Sequence, residues 1–80
     1  MRLDKYLKVS RIIKRRTVAN EACDAGRVSL NGRQAKAGSE VKPGDEIAIQ
    51  FGEKLLRYEV LRVSEHVPKG EAAEMYRPLN

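Results

Sequence analysis

The chain has 80 residues, with 16 Lys/Arg against 11 Asp/Glu and a formal net charge of +5. That length allows one small domain with a modest core and excludes a catalytic domain beside a binding domain. The positive balance makes a polyanion, either nucleic acid or an anionic membrane surface, the partner class to test first.

The elements follow in chain order. Residues 2–8, RLDKYLK, fit a short amphipathic helix. At about 100° per residue, Leu3, Tyr6 and Leu7 share one arc and Arg2, Lys5 and Lys8 the opposite one. The next stretch, SRIIKRRT at 10–17, turns a corner with Ile12 and Ile13 inward. Thr17 is placed to N-cap a second helix over 18–25, its hydroxyl accepting from a first-turn N–H. Val18, Ala19, Ala22, Cys23 and Ala25 form the inward side of that helix, and Asn20, Glu21 and Asp24 the outward side. Gly26 suits the left-handed residue that closes it.

From Arg27 the period changes to two, with Val28 and Leu30 alternating against Arg27 and Ser29. Asn31-Gly32 predicts a tight hairpin because both residues accept positive φ. PGD at 43–45 marks another turn, followed by a strand alternating on Ile47, Ile49 and Phe51. GEK at 52–54 turns the chain into LLRYEVLRV, with Leu56, Tyr58 and Val60 on one face. The phase change at Val60-Leu61 predicts a bulge. Beyond Ser64 the pattern fades, and residues 64–80 read as a C-terminal tail in which 71–76 is either a short helix or a frayed end. The expected fold class is α+β: two short N-terminal helices, then a small antiparallel sheet, in one domain over 1–63.

The catalytic inventory is nearly empty. His66 is the single histidine and sits near Pro68 in an expected loop, where a surface role is the ordinary one. Cys23 lies on an apolar helix face, reads as a small buried hydrophobe and has no disulfide partner. One Cys and one His do not approach a zinc set, and NGRQAKAG lacks the ending of a phosphate-binding loop. No enzyme, metal or cofactor is therefore expected. Charges interrupt the N-terminus too often for a signal peptide, and no apolar run reaches the ~20 residues of a membrane span. With a Met start and a self-sufficient pattern, a stand-alone cytoplasmic protein is expected.

The charge is segregated. Residues 1–16 carry seven Lys/Arg against one acid, Asp4, whereas residues 17–80 carry nine against ten. The usual meaning of a charge run is a solvated face. A purely structural helix face would, however, interleave Glu for i,i+4 support, and only Asp4 is present. Arg2, Lys5 and Lys8 line the first helix, and Arg11, Lys14, Arg15 and Arg16 line the corner beside the second helix's N-terminus. Side-chain cations, unpaired backbone N–H groups and the positive end of a helix dipole converge there, which suits phosphate oxygens. Arg27, Asn31 and Lys36 could extend that surface, although a turn role explains Asn31 better. Asp4 could bridge to Lys8 or orient Arg16. Few aromatics argue against single-strand binding by stacking and favour recognition through backbone and shape. A helix-turn-helix DNA reader fits less well, because helix 18–25 exposes Asn20, Glu21 and Asp24.

The ordered set MRLDKYLKVSRIIKRRTVANEACDAGRVSLNGRQAK, continued by VKPGDEIAI, resembles the alpha-L RNA-binding motif of the ribosomal protein S-four type over residues 1–51. The opening MRLDKYLKVSRIIKRRT further resembles its stand-alone bacterial ribosome quality-control members, relatives of the small ribosome-associated heat-shock protein. The resemblance implies a non-enzymatic factor on the large ribosomal subunit, contacting 23S rRNA and P-site peptidyl-tRNA. An RqcH-type tailing factor would then add C-terminal alanines to the stalled chain. The family's basic positions fall on Arg2, Lys5, Lys8, Arg11, Lys14, Arg15 and Arg16, and Ser10, Thr17, Arg27 and Lys36 complete the expected RNA-binding set, with Asp4 as an orienting residue. A monomer without membrane or small-molecule partner is expected. The same motif also serves as an accessory to pseudouridine synthases and tyrosyl-tRNA synthetases, which is the alternative.

Overall fold

The computed structural model describes residues 1–68 and 70–79. Helix α1 spans Leu3–Val9 and α2 spans Arg16–Asp24. Five antiparallel strands follow: β1 (Val28–Leu30), β2 (Arg33–Gln34), β3 (Glu46–Phe51), β4 (Lys54–Val60) and β5 (Tyr76–Pro78), in the order β2-β1-β3-β4-β5.

The periodicity of α1 is met: Leu3, Tyr6 and Leu7 are fully buried. Its first-turn N–H groups, which have no intrahelical acceptor, are taken by a loop from the sheet side. Leu3 donates to the Ser39 carbonyl (2.8 Å) and Asp4 to that of Ala37 (3.1 Å). Val41 donates in turn to the Met1 carbonyl (2.9 Å). This backbone strap fixes the opening of the chain against the sheet.

α1 ends through Arg11, which adopts a left-handed φ of 64°. Arg11 donates its N–H to the Lys8 carbonyl (3.1 Å), and Ile13 donates to that of Leu7 (3.0 Å). The corner so formed buries Ile13 and half-buries Ile12. α2 ends as expected at Gly26, with φ 76°. Gly26 donates to Cys23 and Arg27 to Ala22, both at 3.0 Å, the paired bonds of a Schellman closure. A side chain at Gly26 would also collide with Gln34.

The start of α2 differs from expectation. The Arg15 carbonyl accepts from Ala19 (3.0 Å), so Arg15 is the N-cap and Thr17 lies inside the first turn, and no side chain caps the helix. Ala19 and Cys23 are buried, but Val18 is 45% exposed, on a recess that it lines with Ile13 and Phe51. Phe51 is likewise 42% exposed at the end of β3, although Ile47 and Ile49 before it are fully buried.

Asn31 and Gly32 both take positive φ, 54° and 83°, and join β1 to β2 with Leu30 opposite Arg33. Asn31 also ties this turn to β3, accepting the Glu46 N–H (2.9 Å) and donating its amide to Asp45 (3.0 Å). Gly52 and Glu53 join β3 to β4, with Phe51 opposite Lys54. At the expected irregularity after Val60, the Leu61 and Arg62 N–H groups converge on one acceptor, the Met75 carbonyl (2.8 and 3.1 Å).

The expected tail requires correction. Within residues 71–76, Ala72–Met75 is a short 3-10 helix, and Tyr76 begins β5. β5 pairs with β4, Tyr58 opposite Pro78 and Val60 opposite Tyr76. Met75 is fully buried in the common core, and the Tyr6 hydroxyl donates to its carbonyl (2.7 Å). Residues beyond 63 thus close the same core that α1 opens. The weak periodicity of this stretch hid a strand of three residues ending in Pro78, which a sheet accepts at its edge.

Candidate nucleic-acid interface

Asp4 organises the face of α1 and α2. Its side chain is 2% exposed. Oδ1 accepts the Lys5 N–H (2.8 Å) and Arg2 Nε (3.2 Å). Oδ2 accepts from Arg2 Nη2 (3.3 Å), Arg16 Nε (3.4 Å) and Asn20 Nδ2 (3.3 Å). Burial by itself would raise the carboxyl pKa. The amide of Asn20, the guanidinium of Arg2, the Lys5 N–H and the charge of Arg16 outweigh it and hold the group below its ordinary value. Asp4 is therefore an anion at neutral pH, and the earlier choice resolves toward Arg16 rather than Lys8.

The two arginines remain about half exposed, 54% for Arg2 and 48% for Arg16. A guanidinium has five N–H donors, so each arginine keeps donors beyond those turned to Asp4. Pairing at one edge limits the rotamers of both side chains, and less freedom is then lost when they meet phosphate. A recess of about 460 Å3 lies here, lined by Arg2, Asp4, Arg16, Thr17, Asn20 and Glu21.

The remaining expected residues divide. Lys5 lies on the same helix and pairs with Glu65 (2.8 Å). Arg15 is exposed at the start of α2, beside the positive end of that helix's dipole. Lys8, Arg11 and Lys14 line a second recess against residues 65–68. Lys36 is exposed in the loop that docks on α1, where its N–H donates to Ser39 Oγ (3.0 Å). Arg27 is not brought to the group: it lines a separate recess with Ile13, Val18 and Phe51. Ser10, expected to contact RNA, is 1% exposed, and its hydroxyl donates to the Leu7 carbonyl (3.3 Å). It is a structural residue of the α1 end, withdrawn by the same turn that presents Arg11. Thr17 lines the Asp4 recess without capping α2.

Asn20, on the outward face of α2, gains its role from the bond to Asp4. Its spacing of four from Arg16 puts both on one helical face, and that was the available signal. No local signal marks the contribution of Glu65 and His66, which reach the α1 face only through the fold.

Two helices turned through a basic corner and backed by an antiparallel sheet define an S4-type RNA-binding class. The S4 domain profile matches residues 1–47, and the chain belongs to the S4 domain family. It is 59% identical over 76 residues to the RQC P-site tRNA stabilizing factor of Bacillus subtilis, covering 95% of this chain and 88% of that one. Identity to the protein of the same description in Halalkalibacterium halodurans is 58%, over 95% and 86% of the two chains. The trimeric structure of Vibrio cholerae heat shock protein 15 superposes with a TM-score of 0.87 at 30% identity, covering 98% of this chain and 80% of that one.

Proposed function

We propose that this chain is a P-site tRNA stabilising factor of ribosome quality control. It binds the large ribosomal subunit through 23S rRNA, contacts the P-site peptidyl-tRNA and catalyses no reaction. An RqcH-type factor then extends the stalled peptide with C-terminal alanine, in the cytoplasm, and the acting species is a monomer. The observation that carries this reading is the Asp4 carboxylate shared by Arg2 and Arg16 (3.2 and 3.4 Å). It holds two half-exposed guanidiniums on one face, as suits adjacent phosphates. Similarity to P-site factors over 95% of the chain supports the choice of RNA.

Co-sedimentation with large subunits, with and without bound peptidyl-tRNA, tests the proposal. Binding is expected to be tighter when peptidyl-tRNA is present and to fall steeply with salt. Equal binding to empty subunits, or no effect of Arg16→Ala, would overturn it. Competition by duplex DNA of equal charge is expected to be weak, because α2 turns Glu21 and Asp24 outward, both exposed.

A further inference from the structure

We propose that the recess between the end of α1 and residues 65–68 seats one unpaired ribonucleotide of the bound RNA. Lys8, Arg11 and Lys14 hold its phosphate, and Val9, Val67 and Pro68 pack against its base. This deepens the RNA-binding reading above and rests on it.

The recess has a volume of about 700 Å3. That lies within the range of small-molecule sites and is far more than a phosphate fills. Its walls combine the three cations with three aliphatic side chains. Such a mixed lining matches a nucleotide, which has a charged end and a flat, weakly polar one.

Lys8, Arg11 and Lys14 have no ion-pair partner among the described residues, unlike Arg2, Lys5 and Arg16 of the same basic segment, and all three line one recess. The one acid on the wall, Glu65, is engaged from the other side by Lys5 at 2.8 Å. Three uncompensated cations around one recess repel one another until an anion enters, and the field they create favours a phosphate.

The backbone gives an independent indication. Arg11 and Asn31 are the non-glycine residues with positive φ among those described, at 64° and 54°. Asn31 suits its hairpin turn, but an arginine has no local preference for the left-handed region. Glycine would close α1 there without strain. The arginine instead lines the recess, and strain of this kind persists where the side chain has a task.

The base must be unpaired. In an A-form duplex the bases are stacked and the readable groove is shallow, so only a looped-out or bulged nucleotide can enter a recess. Among the described residues the wall has one aromatic ring, His66, so the base is held mainly by aliphatic contact, with little preference among sequences.

Amide-resolved NMR titration of the full chain tests this, with single-stranded hexauridylate, a blunt RNA duplex of equal charge, uridine and inorganic phosphate as separate probes. Hexauridylate is expected to move the Val9, Arg11 and Val67 signals together. Inorganic phosphate is expected to move Arg11 and leave Val67 in place. Val67 unmoved by hexauridylate, or moved equally by the duplex or by phosphate, would overturn the proposal. Arg11→Gly supplies the second arm, because glycine keeps the left-handed turn and the fold with it. Its affinity for hexauridylate is expected to fall about tenfold, the loss of one charge-assisted contact. If Arg11→Gly binds large subunits and hexauridylate like the unaltered chain while Arg16→Ala does not, the recess proposal fails and the RNA-binding reading stands. If neither substitution matters, both fail.

Discussion

Two groups of cations share the basic segment, and the fold treats them oppositely. Arg2 and Arg16 are fourteen residues apart in sequence, yet meet at one buried carboxylate that also binds Asn20. Lys8, Arg11 and Lys14 gather around a recess whose carboxylate, Glu65, is paired with Lys5 instead. The first group gives up part of its charge to Asp4 and gains a defined geometry. The second keeps its full potential and a looser arrangement. Geometry serves shape recognition of paired phosphates, whereas potential serves capture of a mobile strand. Net charge alone would not reveal this difference in geometry.

The largest way to break this contrast is Arg16→Ala. Removing a positioned guanidinium is expected to weaken binding to peptidyl-tRNA-carrying subunits by roughly ten- to a hundredfold, on the order of one or two charge-assisted bonds. Lys14→Ala, which removes an unanchored point charge, should cost only a few-fold in the same sedimentation assay. Equal losses from both would erase the distinction.

Asp4→Asn comes next. It leaves both arginines in the chain but removes what holds them, with an expected stability loss of about 1–2 kcal/mol in thermal melts. Subunit binding is expected to fall although net positive charge increases. The pH dependence has a definite sign. The folded Asp4 carboxyl titrates below its ordinary value of 3.8, so the unfolded state binds its proton first as pH falls. The stabilisation is complete above the unfolded value and is lost as pH drops through the folded one. The Asn variant should lack that acid-side decline while matching its shape elsewhere.

Arg11→Gly sharpens the contrast from the other group. Relief of the left-handed arginine, about 1–2 kcal/mol, is partly offset by glycine's chain entropy. A net gain of about 0.5 kcal/mol is expected, seen as a small rise in Tm alongside weaker RNA binding. The smallest effect belongs to Thr17→Ala. A lost helix cap would cost about 1 kcal/mol, but Thr17 lies inside the first turn, so a change of less than about 0.5 kcal/mol is expected in chemical denaturation.

Much of the fold was legible in the order of residues. Leu3, Tyr6 and Leu7 announced the buried face of α1, Gly26 the end of α2, and Asn31-Gly32 the first hairpin. The errors share a cause. Thr17 as a cap, Val18 on the inward side and residues 64–80 as a tail each follow from neighbours in sequence alone. The structure decides them by where α2 begins, at Arg16, by the recess that leaves Val18 open, and by the edge of β4 that takes β5.

The candidate site divides in the same way. The sequence by itself determined the segregation of charge into residues 1–16, the two helical periods and the hairpin turns, because these depend on side-chain chemistry and short-range backbone sterics. Only the tertiary structure decided that Asp4 is a shared anchor, that Ser10 is withdrawn while Arg11 is presented, and that residues 65–68 wall a recess beside α1. Those outcomes rest on hydrogen bonds and packing between distant segments, as in the bond from Tyr6 to Met75. Such contacts exist only once the sheet has brought the two ends of the chain together.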